Sequence, residues 1–313
     1  MAKTYISEEM IAEVRRIGAF NDVESDGRAD ADVLNALDQA MLDEVLPSLV
    51  MVQEEYLVRT KSVTTSANQE FVDIPSRAVG GVVRDVYWRN GTSRHYVPRI
   101  HREHRMSFSE DAADVPDGIY IEGDHLVLVP KSTGGQTIEL AYIFRPGQLV
   151  KSTGYRRVAS VDSSTSVTLD SAVPAAWTTS SVFDVHSAKS GAETRAYDLA
   201  ASVVSGTGIT FTTAIDGTAD DSFAVEVGDY VVLAETAAVP ALPREAHPIL
   251  AQAAACRLLE SDGDAVALEI ARQTLARQIH SFTKMTDTRI EGKPQKILNP
   301  WSFLSRQSSG GSW

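Results

Sequence analysis

The sequence predicts an α+β protein: a helical bundle made from N- and C-terminal helices, a large antiparallel β-rich insertion between them, and an extended C-terminal tail. Three observations carry this prediction. Apolar residues recur at three- and four-residue spacing over the first sixty positions. The period changes to two between Leu57 and about Leu233, and helical spacing returns from Pro243. The expected division is 1–60 for the N-terminal helices of the bundle and 61–240 for the β-rich domain, then 241–285 for a helical hairpin completing the bundle and 286–313 for the tail.

Ser7 is placed to cap a short helix running through Arg16, with Glu8 and Glu9 at the end that the helix dipole makes positive. Asn21 to Asp30 read as a polar loop. A longer helix runs from about Asp32, with Val33, Leu34, Leu37, Met41, Leu42 and Val45 in one stripe. Pro47 marks a new turn or kink before Leu49, Val52 and Tyr56 continue the stripe. The clearest β-hairpin is 118–130, with Gly123-Asp124 as its turn. Further strands are expected at 70–74, 82–88, 137–144, 157–161, 166–169, 182–186, 208–213 and 229–233. Between Ser152 and Ser222, 24 of 71 residues are Ser or Thr; Thr suits strands and Ser-Gly clusters suit turns, which favours ordered β-structure over a linker. A helix over 243–259 carries Ile249, Leu250, Ala253, Ala254 and Leu258 on one face and stops at Ser261-Asp262-Gly263. Asp264 caps a second helix through about Phe282, with Leu268, Ala271, Leu275, Ile279 and Phe282 facing inward, giving a helical hairpin.

Composition narrows the function. At 313 residues with 43% hydrophobic side chains, the chain can bury a sizeable core, and its length suggests two domains. The balance of 29 basic to 42 acidic residues, net −13, excludes a protein that coats nucleic acid. One cysteine, Cys256, excludes a disulfide framework within the chain. The N-terminus lacks a signal-peptide pattern, and no apolar run approaches the roughly 18 residues of a membrane span, so a soluble protein made inside the cell is expected. The charge is partitioned: 1–60 carry −8, 76–105 carry +5, 111–283 carry −11, and the residues from Lys284 onward carry +3. Segments of opposite sign suit pairing with partners, including copies of the same chain.

Little in the sequence points to catalysis, and no cofactor or metal is expected. Gly80-Gly81 and Gly134-Gly135 lack the lysine of a phosphate-binding loop, and there is no Gly-x-Ser-x-Gly elbow. Cys256 sits on the small-residue face of a helix, as an inert buried thiol would. His101 and His104, with His95 nearby, have metal-ligand spacing, but Arg99, Arg102 and Arg105 crowd them and oppose a cation. Asp220 and Asp221 would point to opposite faces of a strand; distant carboxylates cannot be paired from sequence, so glycosidase chemistry stays open.

Two segments stand out. Arg77, Arg84, Arg89, Arg94, Arg99, Arg102 and Arg105 could touch nucleic-acid phosphates or pair with an acidic face of another subunit. Only Tyr87, Trp88 and Tyr96 interleave with them, which favours the second reading over base stacking. The tail after Gly292 is kept extended by Pro294 and Pro300 and carries Ile297, Leu298, Trp301, Phe303 and Leu304, anchors suited to a groove of this chain or of a partner.

The run Ile74-Pro-Ser-Arg-Ala-Val-Gly-Gly-Val-Val-Arg-Asp-Val86, then Tyr120 to Pro130, Arg145 to Val150, Leu242 to Ala255 and Glu291 to Asn299, resembles head-to-tail adaptor (connector) proteins of short-tailed bacteriophages. The resemblance implies a structural virion protein in the neck, assembled in the host cytoplasm as a ring, typically of twelve copies. The ring would bind the portal protein on one side and the tail nozzle protein on the other, and DNA would pass through its lumen without sequence-specific binding. Carried onto this chain, Lys293, Pro294, Gln295, Lys296, Ile297, Leu298, Asn299, Pro300, Trp301, Phe303 and Leu304 are the portal-docking residues, while the charge reading above places Arg77, Arg84, Arg99, Arg102 and Arg105 at the subunit interface. The enlarged β-region 151–235 departs from the pattern, leaving open whether it meets neighbouring copies or tail fibres. The competing readings are a β-rich fibre or nozzle component that binds or cleaves host glycan, with Trp177 and Tyr197 as sugar platforms, and a DNA-contacting regulator acting through the arginines.

Overall fold

The computed structural model describes residues 5–20, 29–53, 55–90, 93–107, 111–189, 193–218 and 222–286. The helices are α1 (Ser7–Gly18), α2 (Asp30–Ala40), α3 (Leu46–Val52), α4 (His247–Asp262) and α5 (Ala265–Thr286). They bury Met10, Val14, Leu37, Met41, Leu49, Leu250 and Leu275 in one core. Ser7 does not cap α1. Ile6 holds that position, and Ser7 is fully buried inside the first turn with its hydroxyl on Glu8. Its backbone N–H donates to the Ala238 carbonyl at 3.0 Å, which satisfies a group that a cap would otherwise serve.

Pro47 stands in the first turn of α3, the new turn expected there, and a π-helical turn, Met41–Val45, joins α3 to α2. The Ser48 hydroxyl donates to the Glu44 carbonyl there at 2.8 Å. Helix α4 is buried nearly all round rather than on one face, since α1 and α2 cover one side and α5 the other. Its alanines 251 and 253–255 let these neighbours approach closely. Gly263, at φ +77°, turns the chain into α5, and Asp264 Oδ1 accepts the Ala267 N–H at 3.0 Å, the expected cap.

The strands are β1 (Val58–Thr64), β2 (Gln69–Asp73), β3 (Ala78–Asn90), β4 (Ser93–Tyr96), β5 (Gly118–Glu122), β6 (His125–Ser132), β7 (Thr137–Phe144), β8 (Gln148–Leu149), β9 (Tyr155–Val161), β10 (Ser166–Leu169), β11 (Val182–His186), β12 (Thr194–Ser205), β13 (Gly208–Phe211), β14 (Tyr230–Leu233) and β15 (Thr236–Ala237). Two antiparallel sheets, ordered β1-β7-β3-β4 and β2-β6-β5, bury Val72, Val86, Leu126, Leu128, Ile138, Leu140 and Tyr142 in one core. The hairpin turning at Gly123-Asp124 joins β5 to β6.

The Ser/Thr-rich stretch builds a closed six-stranded barrel, β10-β13-β12-β11-β14-β9, filled by Val158, Trp177, Phe183, Val185, Ile209 and Phe211. The chain enters after β8 and leaves into β15, and these two short strands pair in parallel. Leu149 and Ala237, one from each, enter the helical core. Gly147 lies so close to the returning strand that a Cβ there would sit 2.7 Å from the Thr236 carbonyl. Asp38 of α2 accepts the Leu149 N–H at 2.9 Å, tying the helices to this junction; burial pushes its carboxyl up to about 6.

Candidate assembly interface

The arginine-rich segment shows where its charge is used. Arg77 is not at the surface. Its side chain is 3% exposed and reaches from the turn before β3 to the barrel. Nη2 lies 2.7 Å from Asp184 Oδ2 on β11 and 2.9 Å from Asp198 Oδ1 on β12. Asp184 also accepts the N–H groups of Asp198 at 2.9 Å and Glu235 at 3.0 Å. Burial pushes the Asp184 carboxyl up to about 6, opposed by the Arg77 charge and these two N–H donors. Arg77 is therefore withdrawn from the expected subunit interface: its charge ties the sheets to the barrel within one chain.

The same junction holds His186, whose Nε2–H donates to the Thr236 carbonyl at 3.0 Å and whose Nδ1 accepts the Thr194 hydroxyl at 3.2 Å. Burial pushes its imidazole down to about 4, so it is neutral. Tyr142 and Tyr197 join their hydroxyls at 2.8 Å across the junction.

The remaining arginines divide. Arg84, half-buried, lies 3.5 Å from Asp85 and 4.0 Å from Glu55. Arg89 and Arg94 converge on Glu139 at 3.6 and 2.5 Å, and Arg94 also stacks over Tyr87 at 4.1 Å. Arg99, Arg102 and Arg105 gather beside β5. Arg105 pairs with Glu70 and donates to the Tyr120 hydroxyl at 3.1 Å. Arg102, 72% exposed, pairs at 3.0 Å with Glu122, itself 40% exposed. Arg99 is exposed beside Ile119 and has no ion pair among the described residues. Exposed pairs are weak and easily exchanged, so Arg99 and Arg102 are the members of the segment whose charge is available to another protein.

Other candidate residues fall into place. His101 and His104 meet edge to face at 5.9 Å. Among the described residues, no three or more His, Cys, Asp or Glu side chains gather at metal-binding spacing. Cys256 is 5% exposed, and burial pushes its thiol up. Trp177 is also 5% exposed and packs against Phe183 inside the barrel, while Tyr197 stacks on Phe144. Trp177 therefore presents no ring face as a sugar platform, while Tyr197 is half-buried with its hydroxyl on Tyr142. No helix among the described residues is long and apolar enough to cross a membrane. Asp220, Asp221 and the docking residues Lys293 to Pro300, Trp301, Phe303 and Leu304 lie outside the described residues.

One feature escaped sequence reading. A groove of about 520 Å³ runs beside α5, lined in part by Pro248, Ile249, Thr274, Gln278, Phe282 and Met285. The helical period assigns Phe282 inward and says nothing of a channel between α5 and the start of α4. Exposed Met285 just past the apolar stripe was the available signal.

A family model described as the SU10 adaptor protein matches residues 7–188, well over half of the chain. The match spans α1 to α3, both sheets and the barrel through β11. No curated protein matches the chain.

Proposed function

Because the chain belongs to the SU10 adaptor protein family, we propose that it is the head-to-tail adaptor of a phage neck, ringing the DNA channel between the portal protein and the tail nozzle. The family role is that of a structural virion protein that meets other virion proteins, and the match over residues 7–188 is the observation that carries the reading. In this proposal the ring holds about twelve copies, joined by a heterologous interface in which one face meets a different face of the next copy. Arg99 and Arg102, beside β5, contribute cations to that interface, with Arg84 and Arg105 sharing theirs between subunit and neighbour.

The net charge of −13 suits the lumen: an acidic wall does not hold DNA phosphates, so DNA passes without sticking. The segment Lys293 to Leu304 docks on the portal, and many copies engaging together make the attachment long-lived. The barrel faces neighbouring copies or tail fibres.

Mass photometry of the chain alone and mixed with the portal protein tests the proposal. Ring-sized complexes with portal are expected, and their loss when residues 287–313 are deleted. A persistent monomer with no portal binding, across low and physiological salt, overturns the adaptor reading. Unchanged binding after the deletion overturns only the tail-docking assignment.

A further inference from the structure

The groove beside α5 needs an occupant. Its floor is apolar, through Ile249 and Phe282, and its rim carries Met285, which is 62% exposed. Ile270 and Val266, 63% and 73% exposed, sit further along the same helix. Surface apolar groups concentrated on one helix mark a contact. Gln278, on the groove wall, has a carbonyl oxygen buried without a hydrogen-bond partner, an acceptor that a docked main-chain N–H would satisfy on a small turn of the amide.

The position of the chain's end selects the occupant. Met285 lines the groove, and the described chain ends one residue later, at Thr286. Ten residues, 287–296, separate this point from Ile297. Extended, they span up to about 33 Å, more than the roughly 22 Å of helix between Ile270 and Met285. The segment they deliver carries Ile297, Leu298, Trp301, Phe303 and Leu304. Glu245 and Arg277 both line the groove and balance each other, and segment 297–304 carries no charge, so no unpaired charge opposes its seating. A tether this short gives an effective concentration in the millimolar range, far above that of a second copy in dilute solution.

We propose that this groove seats the chain's own segment 297–304 in the free protein. The apolar anchors are then covered until attachment, which guards an exposed tail against self-association. The inference concerns the unattached chain and stands whether or not the portal reading holds.

Disulfide trapping in the full-length chain tests it. Ser281→Cys lines the groove, and His280→Cys, one residue earlier and outside the groove lining, is equally close along the chain; each is combined with Leu298→Cys. Cys256 is buried and does not compete. A tail without a seat reaches both positions equally, whereas a docked tail meets only the first. The expected result is an intramolecular disulfide forming at least about tenfold faster in Ser281→Cys/Leu298→Cys than in the control pair. Adding Thr274→Arg, at a half-buried position that fills the groove, should bring the rate down to the control with an unchanged circular dichroism spectrum. Equal rates in the two pairs overturn the proposal. A cross-linked dimer as the main product also overturns it, in favour of a groove that receives the tail of a second copy.

Discussion

Replacing Arg77 with methionine keeps the length of the side chain and removes its cation. Asp184, 1% exposed, then keeps only the N–H groups of Asp198 and Glu235, while Asp198 loses its partner toward the sheets. Leaving one member of a buried ion pair uncompensated costs about 3–5 kcal/mol. Proton uptake limits the loss. The Asp184 carboxyl already stands at about 6 with the cation beside it; without the cation it rises further, each unit being about 1.4 kcal/mol. A carboxyl whose folded pKa exceeds its unfolded value contributes stability below the unfolded pKa that is lost as pH rises through the folded one. The deficit of Arg77→Met relative to the parent should therefore widen from about pH 6 to pH 8. Urea unfolding in a Trp301→Phe/Trp313→Phe background measures it, because Trp88 then reports on the sheets and Trp177 on the barrel. The double variant Arg77→Met/Asp184→Leu, with both charges gone, should recover at least half of the loss. A loss under about 1 kcal/mol at pH 7.5, the size expected of an exposed pair, or a deficit that does not change with pH, would refute the assignment of a buried lock.

Three further outcomes follow from local geometry. Gly147→Ala pushes a methyl group against the Thr236 carbonyl and should cost about 1–3 kcal/mol, read as a lower melting temperature. Asp264→Ala removes the cap of α5 and should cost about 1 kcal/mol, while Asp264→Asn should retain most of it, both by thermal melting. His186 is held at about 4 against a usual 6.5. A depressed value means stability present above the unfolded pKa and lost as pH falls through the folded one, here about 3 kcal/mol between pH 6.5 and 4. His186→Gln should flatten that part of the stability–pH curve, and a curve parallel to the parent's would show that the ring is not the group responsible.

Much of the secondary structure was legible because it rests on short-range patterns. The 118–130 hairpin, the strand at 137–144, the hairpin turn at Gly263 and the Asp264 cap all depend on residues within a few positions of each other. Five strands were missed; β8 and β15 are two residues each, too short to show a period, and the other three escaped for equally local reasons. β4 is exposed at all four residues and shows no alternation. β12 is interrupted where Asp198 takes φ +54°, and β1 is half-buried along most of its length rather than alternating. Helix α4 was read as one-faced because its alanines carry too little contrast to reveal that every side is covered.

The amino-acid sequence alone determined the α+β class, the order of helical and β-rich segments, the single thiol and the uneven charge, since each is a sum over neighbours or over composition. Only the tertiary structure decided how that charge is used. Arg77 lies 107 positions from Asp184 and 121 from Asp198, and no periodicity relates residues that far apart. The same holds for the barrel, whose closure depends on β9 meeting both β10 and β14, and for the groove beside α5, which exists because the start of α4 packs next to the end of its partner helix. A segment that reads as seven free cations is, once folded, mostly paired with carboxylates of its own chain, and at Arg77 the pair is buried, where an unpaired charge is far more costly than an exposed one.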